Sequence, residues 1–197
     1  MPHRAPTSLT DLLEGNRQWR SLQAAEDAEF FVRHAQGQRP PFLYIGCADS
    51  RVPPTTITNT GPGDLFVTRN IANLVRADDV AIQSTLEYAI DVLEVEHVLV
   101  CGHTECGGVM AALAPQPPAG ALGAWIAPLR ALALDRRHEL DGLEHRARID
   151  RLVRLNVEAQ VSALERHPLV QRARERRNLQ IHGSVYDLSA GQVQPLM

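Results

Sequence analysis

The sequence predicts an α/β fold, a mostly parallel central sheet flanked by helices with an N-terminal helical arm, and three observations predict it. Continuous apolar runs at Phe42–Ile45, Leu65–Thr68 and His97–Cys101 have the composition of parallel strands covered on both faces. Segments with apolar residues at helical spacing alternate with them, the rhythm of right-handed β-α-β crossovers. Two of the runs end directly in clusters of polar and thiol residues, where a parallel sheet presents its ligands.

The elements follow in order. Ser8–Gln23 places Leu9, Leu12, Leu13 and Trp19 near one helical face, with Ser8 and Asp11 in the relation of a capping box. Asp27–Ala35 carries a second short helical pattern around Phe30 and Phe31, two adjacent rings that a short helix cannot both turn inward. This arm either packs on a partner subunit or caps its own domain. After Gly37 and Pro40-Pro41 comes the strand Phe42–Ile45. Val52-Pro53-Pro54 blocks a long helix, Gly61–Asp64 turns the chain, and Leu65–Thr68 is the next strand. Asp78 and Asp79 open a helix bearing Ile82, Leu86, Ala89, Ile90 and Leu93. Strand His97–Cys101 then leads into a helix over Cys106–Ala114. Helices are expected at Ala121–Asp135 and from Leu143 to Arg166, with Pro168 as a stop, and Leu179–Leu188 is the last strand, turned by Ala190-Gly191. The organisation is one domain over residues 1–197, with 1–36 as the helical arm and 37–197 as the α/β core.

Composition sets limits. The chain has 197 residues, 44% of them hydrophobic, and a formal charge of -3, an ordinary balance for one packed core. No run reaches the length of a membrane span, and Met1–Pro6 lacks a secretory pattern, so the cytoplasm is the expected location. All 20 basic residues are Arg, which excludes Schiff-base lysine chemistry and the lysine of a phosphate-binding loop. The Arg-rich stretch from Arg130 to Arg177 is interleaved with acids and lacks aromatics, which fits a solvated helix surface better than a nucleic-acid face.

Three cysteines do not close into a disulfide set, which turns attention to metal binding. Cys47, His103 and Cys106 offer two thiolates and an imidazole, the donor set of a catalytic zinc with an open fourth position. A structural zinc, usually built from paired Cys hooks, is the second reading, and an unmetallated core cysteine the third. Cys101, inside its strand, reads as a small hydrophobe. Asp49 is two residues from Cys47, and Arg51 two further on. Paired with Arg51, Asp49 leaves the fourth metal position to water; released, it ligates the metal and blocks it. A plain ion pair pinning a loop accounts for the same spacing.

Cys47-x-Asp49-x-Arg51 and His103-x-x-Cys106-Gly107-Gly108 together resemble the zinc signature of the β-class carbonic anhydrases. The resemblance runs from about Ser8 to Val193, through Phe66-x-x-Arg69-Asn70-Ile71-Ala72-Asn73, Glu87-Tyr88-Ala89, Val95-Glu96-His97 and His182-Gly183. It implies reversible hydration of carbon dioxide on Zn2+, one ion per chain, with Cys47, His103 and Cys106 as ligands and Asp49–Arg51 as a catalytic dyad. It also implies a substrate pocket of Gln38, Phe66, Ile71, Gly107 and Gly108, with Tyr88 supplied across a dimer interface, and a dimer or tetramer. A subset of that family has an inhibitory bicarbonate site, whose matching positions are Tyr44, Gly46, Arg69 and Tyr186; its regulated members carry Trp where this chain has Tyr44. Two other readings keep the metal: hydrolysis of a related heterocumulene such as carbon disulfide or carbonyl sulfide, and a non-catalytic bicarbonate sensor. Neither nucleic acid nor membrane is expected as a partner.

Overall fold

The computed structural model describes residues 5–196; Met1–Arg4, the first part of the stretch read above for a leader, and Met197 lie outside the described residues. The chain divides into two compact units, Met1–Gln38 and Arg39–Met197.

In the first unit, α1 (Leu9–Glu26) starts at the expected capping box: the Ser8 hydroxyl accepts from the Asp11 amide and the Asp11 carboxylate accepts from the Ser8 amide. α2 (Phe30–Ala35) is shorter than expected, because the Asp27 carboxylate turns the chain by accepting from the Glu29 amide and pairing with Arg33. Trp19, Phe30 and Phe31 form an edge-to-face cluster with centroids 5.1–6.2 Å apart. No residue of α1 is buried, and Leu9, Leu12, Leu13 and Leu22 are exposed.

The second unit is built on a five-stranded sheet of β1 (Phe42–Cys47), β2 (Leu65–Asn70), β3 (His97–His103), β4 (Gln180–Asp187) and β5 (Gln192–Pro195). Its order is β2-β1-β3-β4-β5, parallel except for the antiparallel edge strand β5. β1, β2 and β3 each run two residues beyond their apolar runs, since the polar and thiol residues at their ends stay in the ladder, while β4 lies within the expected Leu179–Leu188. β5 was not expected: four residues with a proline are too short and too polar to register as a strand, and an edge position tolerates both.

The helices are α3 (Pro54–Ile57), α4 (Val80–Glu87), α5 (Gly107–Leu113), α6 (Gly120–Asp135), α7 (Arg137–Leu140), α8 (His145–Glu165) and α9 (Pro168–Arg176). Asp79 caps α4 by accepting from the Ala81 amide, while Asp78 turns away to Arg76 at 2.7 Å. A π-helical turn, Tyr88–Val92, continues α4 and buries Ala89 and Ile90 beside Ile82 and Leu86. Pro168 corrects the sequence reading. α8 does stop ahead of it, at Glu165, but the proline also stands at the first position of α9, where a missing amide hydrogen costs no bond, and the His167 imidazole accepts from the Leu169 amide.

α8 lies along β3 and β4 and buries Leu152, Val153, Asn156, Val157 and Val161. Gly102 makes that approach feasible: a Cβ there would sit 2.8 Å from Val157 Cγ2 and 3.1 Å from Val153 Cγ1. The same helix braces the segment after β2. Asn156 donates to the Ala72 carbonyl at 2.9 Å, and Gln160 accepts from the Val75 amide at 2.8 Å while donating to Asn156. That segment needs bracing, because Ala72 and Asn73 hold φ of 62° and 48°, a region costly for residues with a Cβ.

Candidate metal centre

β1 and β3 are adjacent and parallel, so their carboxyl ends deliver Cys47 and His103 to one place. Cys106 arrives at the residue capping α5, after a tight connection in which Glu105 takes φ 56°. The two sulfurs and an imidazole nitrogen all lie within 4.8 Å of one another, and the three residues are buried. Among the described residues this is the one group of three or more His, Cys, Asp or Glu side chains so arranged.

The donor set fits a zinc ion. Cys47 Sγ and Cys106 Sγ are 3.9 Å apart, against about 3.8 Å for two thiolates on a tetrahedral zinc with Zn–S near 2.3 Å. His103 Nδ1 is 2.8 Å from the Thr104 carbonyl; the tautomer that donates there leaves a lone pair on Nε2, which is buried with no hydrogen-bond partner. The Cys106 contact pushes the Cys47 thiol well below the usual thiol range, and the same contact, with burial, pushes Cys106 up.

Asp49 borders this cluster, its Oδ2 being 3.8 Å from His103 Nε2. Its carboxylate is held by Arg51 three ways: Nη2 to Oδ2 at 2.7 Å, Nε to Oδ1 at 2.9 Å, and the backbone amide to Oδ1 at 2.9 Å. Arg51 therefore holds the carboxyl well below the usual carboxylate range, with its own amide and His103 adding to the effect. The sequence left Asp49 between Arg51 and the metal; here it is on Arg51.

Arg69 clamps the same loop, its Nε donating to the Cys47 carbonyl at 2.7 Å and its Nη2 to the Asp49 carbonyl. By register it lies opposite Gly46, and Tyr44, Gly46, Arg69 and Tyr186 all fall on one face of the sheet. Tyr44 is buried against Cys101, and burial pushes both the phenol and the thiol above their usual ranges. Cys101 itself belongs to β3 and stands outside the donor cluster.

The substrate-pocket candidates separate into groups. Ile71, Gly107 and Gly108 stay together beside the cluster: a Cβ on Gly108 would come within 2.8 Å of Ile71 Cγ2 and 3.0 Å of Ala72 Cβ. Trp125 fixes this segment by donating to the Ile71 carbonyl at 2.8 Å. Phe66 instead packs against Tyr88, the rings tilted by 32° with centroids 5.7 Å apart. Phe66 pairs with Leu43, four residues before Cys47, and is thus roughly 13 Å back along the sheet from the metal ligands of its own chain. Gln38 is exposed at the end of the first unit.

Sequence reasoning missed the residues that support the site. Asn156 and Gln160, four apart among the leucines and valines of α8, were a readable signal, since an amide on an apolar stripe needs a partner. Glu105 and Arg146, distant in sequence and unremarkable in type, gave none.

A mostly parallel α/β sheet whose strand ends bring two cysteine sulfurs, one imidazole and an Asp–Arg pair to one point defines a Cys2His group that could hold a metal ion beside a carboxylate. The carbonic anhydrase family model matches residues 42–193. The chain is 41% identical over 187 residues to the carbonic anhydrase of Emericella nidulans, covering 94% of this chain and 82% of that protein. Among solved structures, a tetrameric β-carbonic anhydrase of Sordaria macrospora superposes with a TM-score of 0.92 at 39% identity, with 94% of each chain covered. The Coccomyxa β-carbonic anhydrase, solved with acetazolamide, gives 0.92 at 43% identity over 97% of this chain and 87% of that one. This chain belongs to the carbonic anhydrase family, in its β class.

Proposed function

We propose that the protein hydrates carbon dioxide reversibly with a zinc ion held by Cys47 Sγ, His103 Nε2 and Cys106 Sγ. The observation that carries this reading is the convergence of three buried donors within 4.8 Å, with an ionised carboxylate 3.8 Å from the imidazole. A zinc bound there would lower the pKa of water in the open position, supplying hydroxide near neutral pH. Two thiolates cancel the formal charge of the ion, so that effect is weaker than in an all-imidazole site.

The chain's own residues do the rest. Asp49, kept ionised by Arg51, accepts a hydrogen bond from the nucleophile and so directs a lone pair at the substrate carbon. Arg51, by holding the Asp49 carboxylate, would keep it off a bound metal. Arg69 fixes the backbone of both Cys47 and Asp49, and Thr104 fixes the His103 tautomer. Carbon dioxide is uncharged with weak acceptors, so an apolar wall suits it. Ile71 offers one from the same chain, and the Phe66–Tyr88 pair, too far back to serve its own site, supports a pocket completed by a second protomer. A dimer or tetramer is therefore part of the proposal.

Bicarbonate inhibition is a finer part of the same reading. Tyr44, Gly46, Arg69 and Tyr186 share a sheet face, and an anion drawing Arg69 off the Cys47 and Asp49 carbonyls would loosen the loop that bears the dyad. Arg69→Gln should abolish bicarbonate inhibition; inhibition unchanged in that variant removes this part.

The test of the main proposal is stopped-flow carbon dioxide hydration with metal analysis on the same sample. Wild type should carry zinc and turn over, whereas Cys106→Ala should lose both. Activity persisting in metal-free Cys106→Ala would overturn the assignment.

A further inference from the structure

The dyad has a third member and a fourth. Arg51 donates through Nη2 to the Glu105 carbonyl at 3.2 Å, and its Nη1 is 3.9 Å from Glu105 Oε2. Glu105 Oε1 in turn is 3.5 Å from Nη2 of Arg146, at the start of α8. Arg51 and Arg146 line one half-open cavity of about 270 Å3 with Glu105, which His145 and Asp150 also line. The Arg51 guanidinium therefore stands between two carboxylates, one bordering the metal cluster and one facing away from it. The left-handed backbone of Glu105 presents both its carbonyl and its side chain to Arg51 at once.

We propose that Glu105 is a positioning residue that competes with Asp49 for Arg51, and that Arg146, by holding the Glu105 carboxylate, tilts Arg51 back toward Asp49. The inference rests on the reading that Asp49 exchanges between Arg51 and the metal. If Asp49 leaves, Arg51 keeps a carboxylate partner in Glu105, so the exchange does not strand a cation. The charges on the cavity wall then set how often it happens. Removing the Glu105 charge leaves Asp49 as the sole carboxylate on Arg51 and favours the water-open arrangement. Removing the Arg146 charge frees Glu105 to take Arg51 and favours Asp49 on the metal. Asp150 faces the same Arg146 and Glu105, so it enters the balance on the side of Glu105, by drawing on the same guanidinium.

The two neutralisations act in opposite directions, which a merely structural role would not produce. The experiment uses cobalt-substituted protein, with visible absorption and X-ray absorption reporting carboxylate or water as the fourth ligand, at a pH where wild type populates both. Glu105→Gln should lower the carboxylate-bound to water-bound ratio and Arg146→Gln should raise it, each by roughly two- to fivefold, the range for half-exposed ion pairs. The double variant should follow Glu105→Gln, since Arg146 acts through Glu105, and Arg146→Lys should stay near wild type. Metal content and Tm, measured alongside, should be unchanged. Single variants that move the ratio the same way, or leave it unmoved while wild type still exchanges, overturn the role of Glu105 alone. A wild type whose fourth ligand is water at every pH overturns the exchange and this inference with it.

Discussion

Asp49 is the residue on which the proposed chemistry turns, and its ionisation is coupled to folding. Arg51 holds its folded-state pKa below the unfolded value, so the stabilisation it gives is present above the ordinary carboxylate range and is lost as pH falls through that range toward the folded pKa. The Tm difference between wild type and Asp49→Asn should accordingly be steady at neutral pH and shrink in acid. A difference that stays constant into acid would mean that Asp49 is not held by a charge partner. The cysteines separate as sharply. Cys101→Ala should retain zinc, because the thiol only fills space between Tyr44 and the sheet, and equal metal loss in that variant and in Cys106→Ala would show that the cluster has been misassigned. The Cys47–His103–Cys106 cluster and the Asp49–Arg51 pair were legible in the sequence because they are carried by residue type and short spacing. The residues holding them were not. Glu105 and Arg146 are joined by a contact spanning the α5, α6 and α7 segments, and no local pattern announces such a pairing.

At the scale of elements, close backbone approach decides what the site can tolerate. Gly108→Ala would push a methyl into Ile71 and Ala72, whose backbone is already left-handed and pinned by Asn156 and Trp125. A destabilisation of about 1–3 kcal/mol is expected, with reduced turnover, measured by denaturant unfolding beside the hydration assay. Gly107→Ala, with open space around its Cβ, is the control and should be mild. Element types were readable wherever apolar residues set the period, as in β1, β3, α4 and α8. The failures had other causes. α8 ends ahead of Pro168 as expected, but α9, which the proline begins, was missed, since a proline that cannot continue a helix is well suited to start one. β5 and α7 were missed because four residues carry too little pattern, and tertiary contacts alone hold them.

At the scale of the molecule, the proposed oligomer draws on the arm and the sheet. α1 exposes Leu9, Leu12, Leu13 and Leu22 without burying any residue, more apolar surface than a solvated helix of 18 residues needs. Removing residues 1–38 should reduce the oligomer, as read by sedimentation. If Phe66 and Tyr88 serve a neighbouring site, Tyr88→Ala should lower kcat/KM while leaving metal content intact; an oligomer and activity untouched by both changes would contradict assembly through this surface. The most direct test of the whole is carbon dioxide hydration as a function of pH on protein of measured zinc content. One zinc per chain is expected, with activity that rises on the alkaline side of neutrality and disappears with the metal in Cys106→Ala. A fully zinc-loaded wild type whose rate is flat from acid to alkaline pH would contradict it.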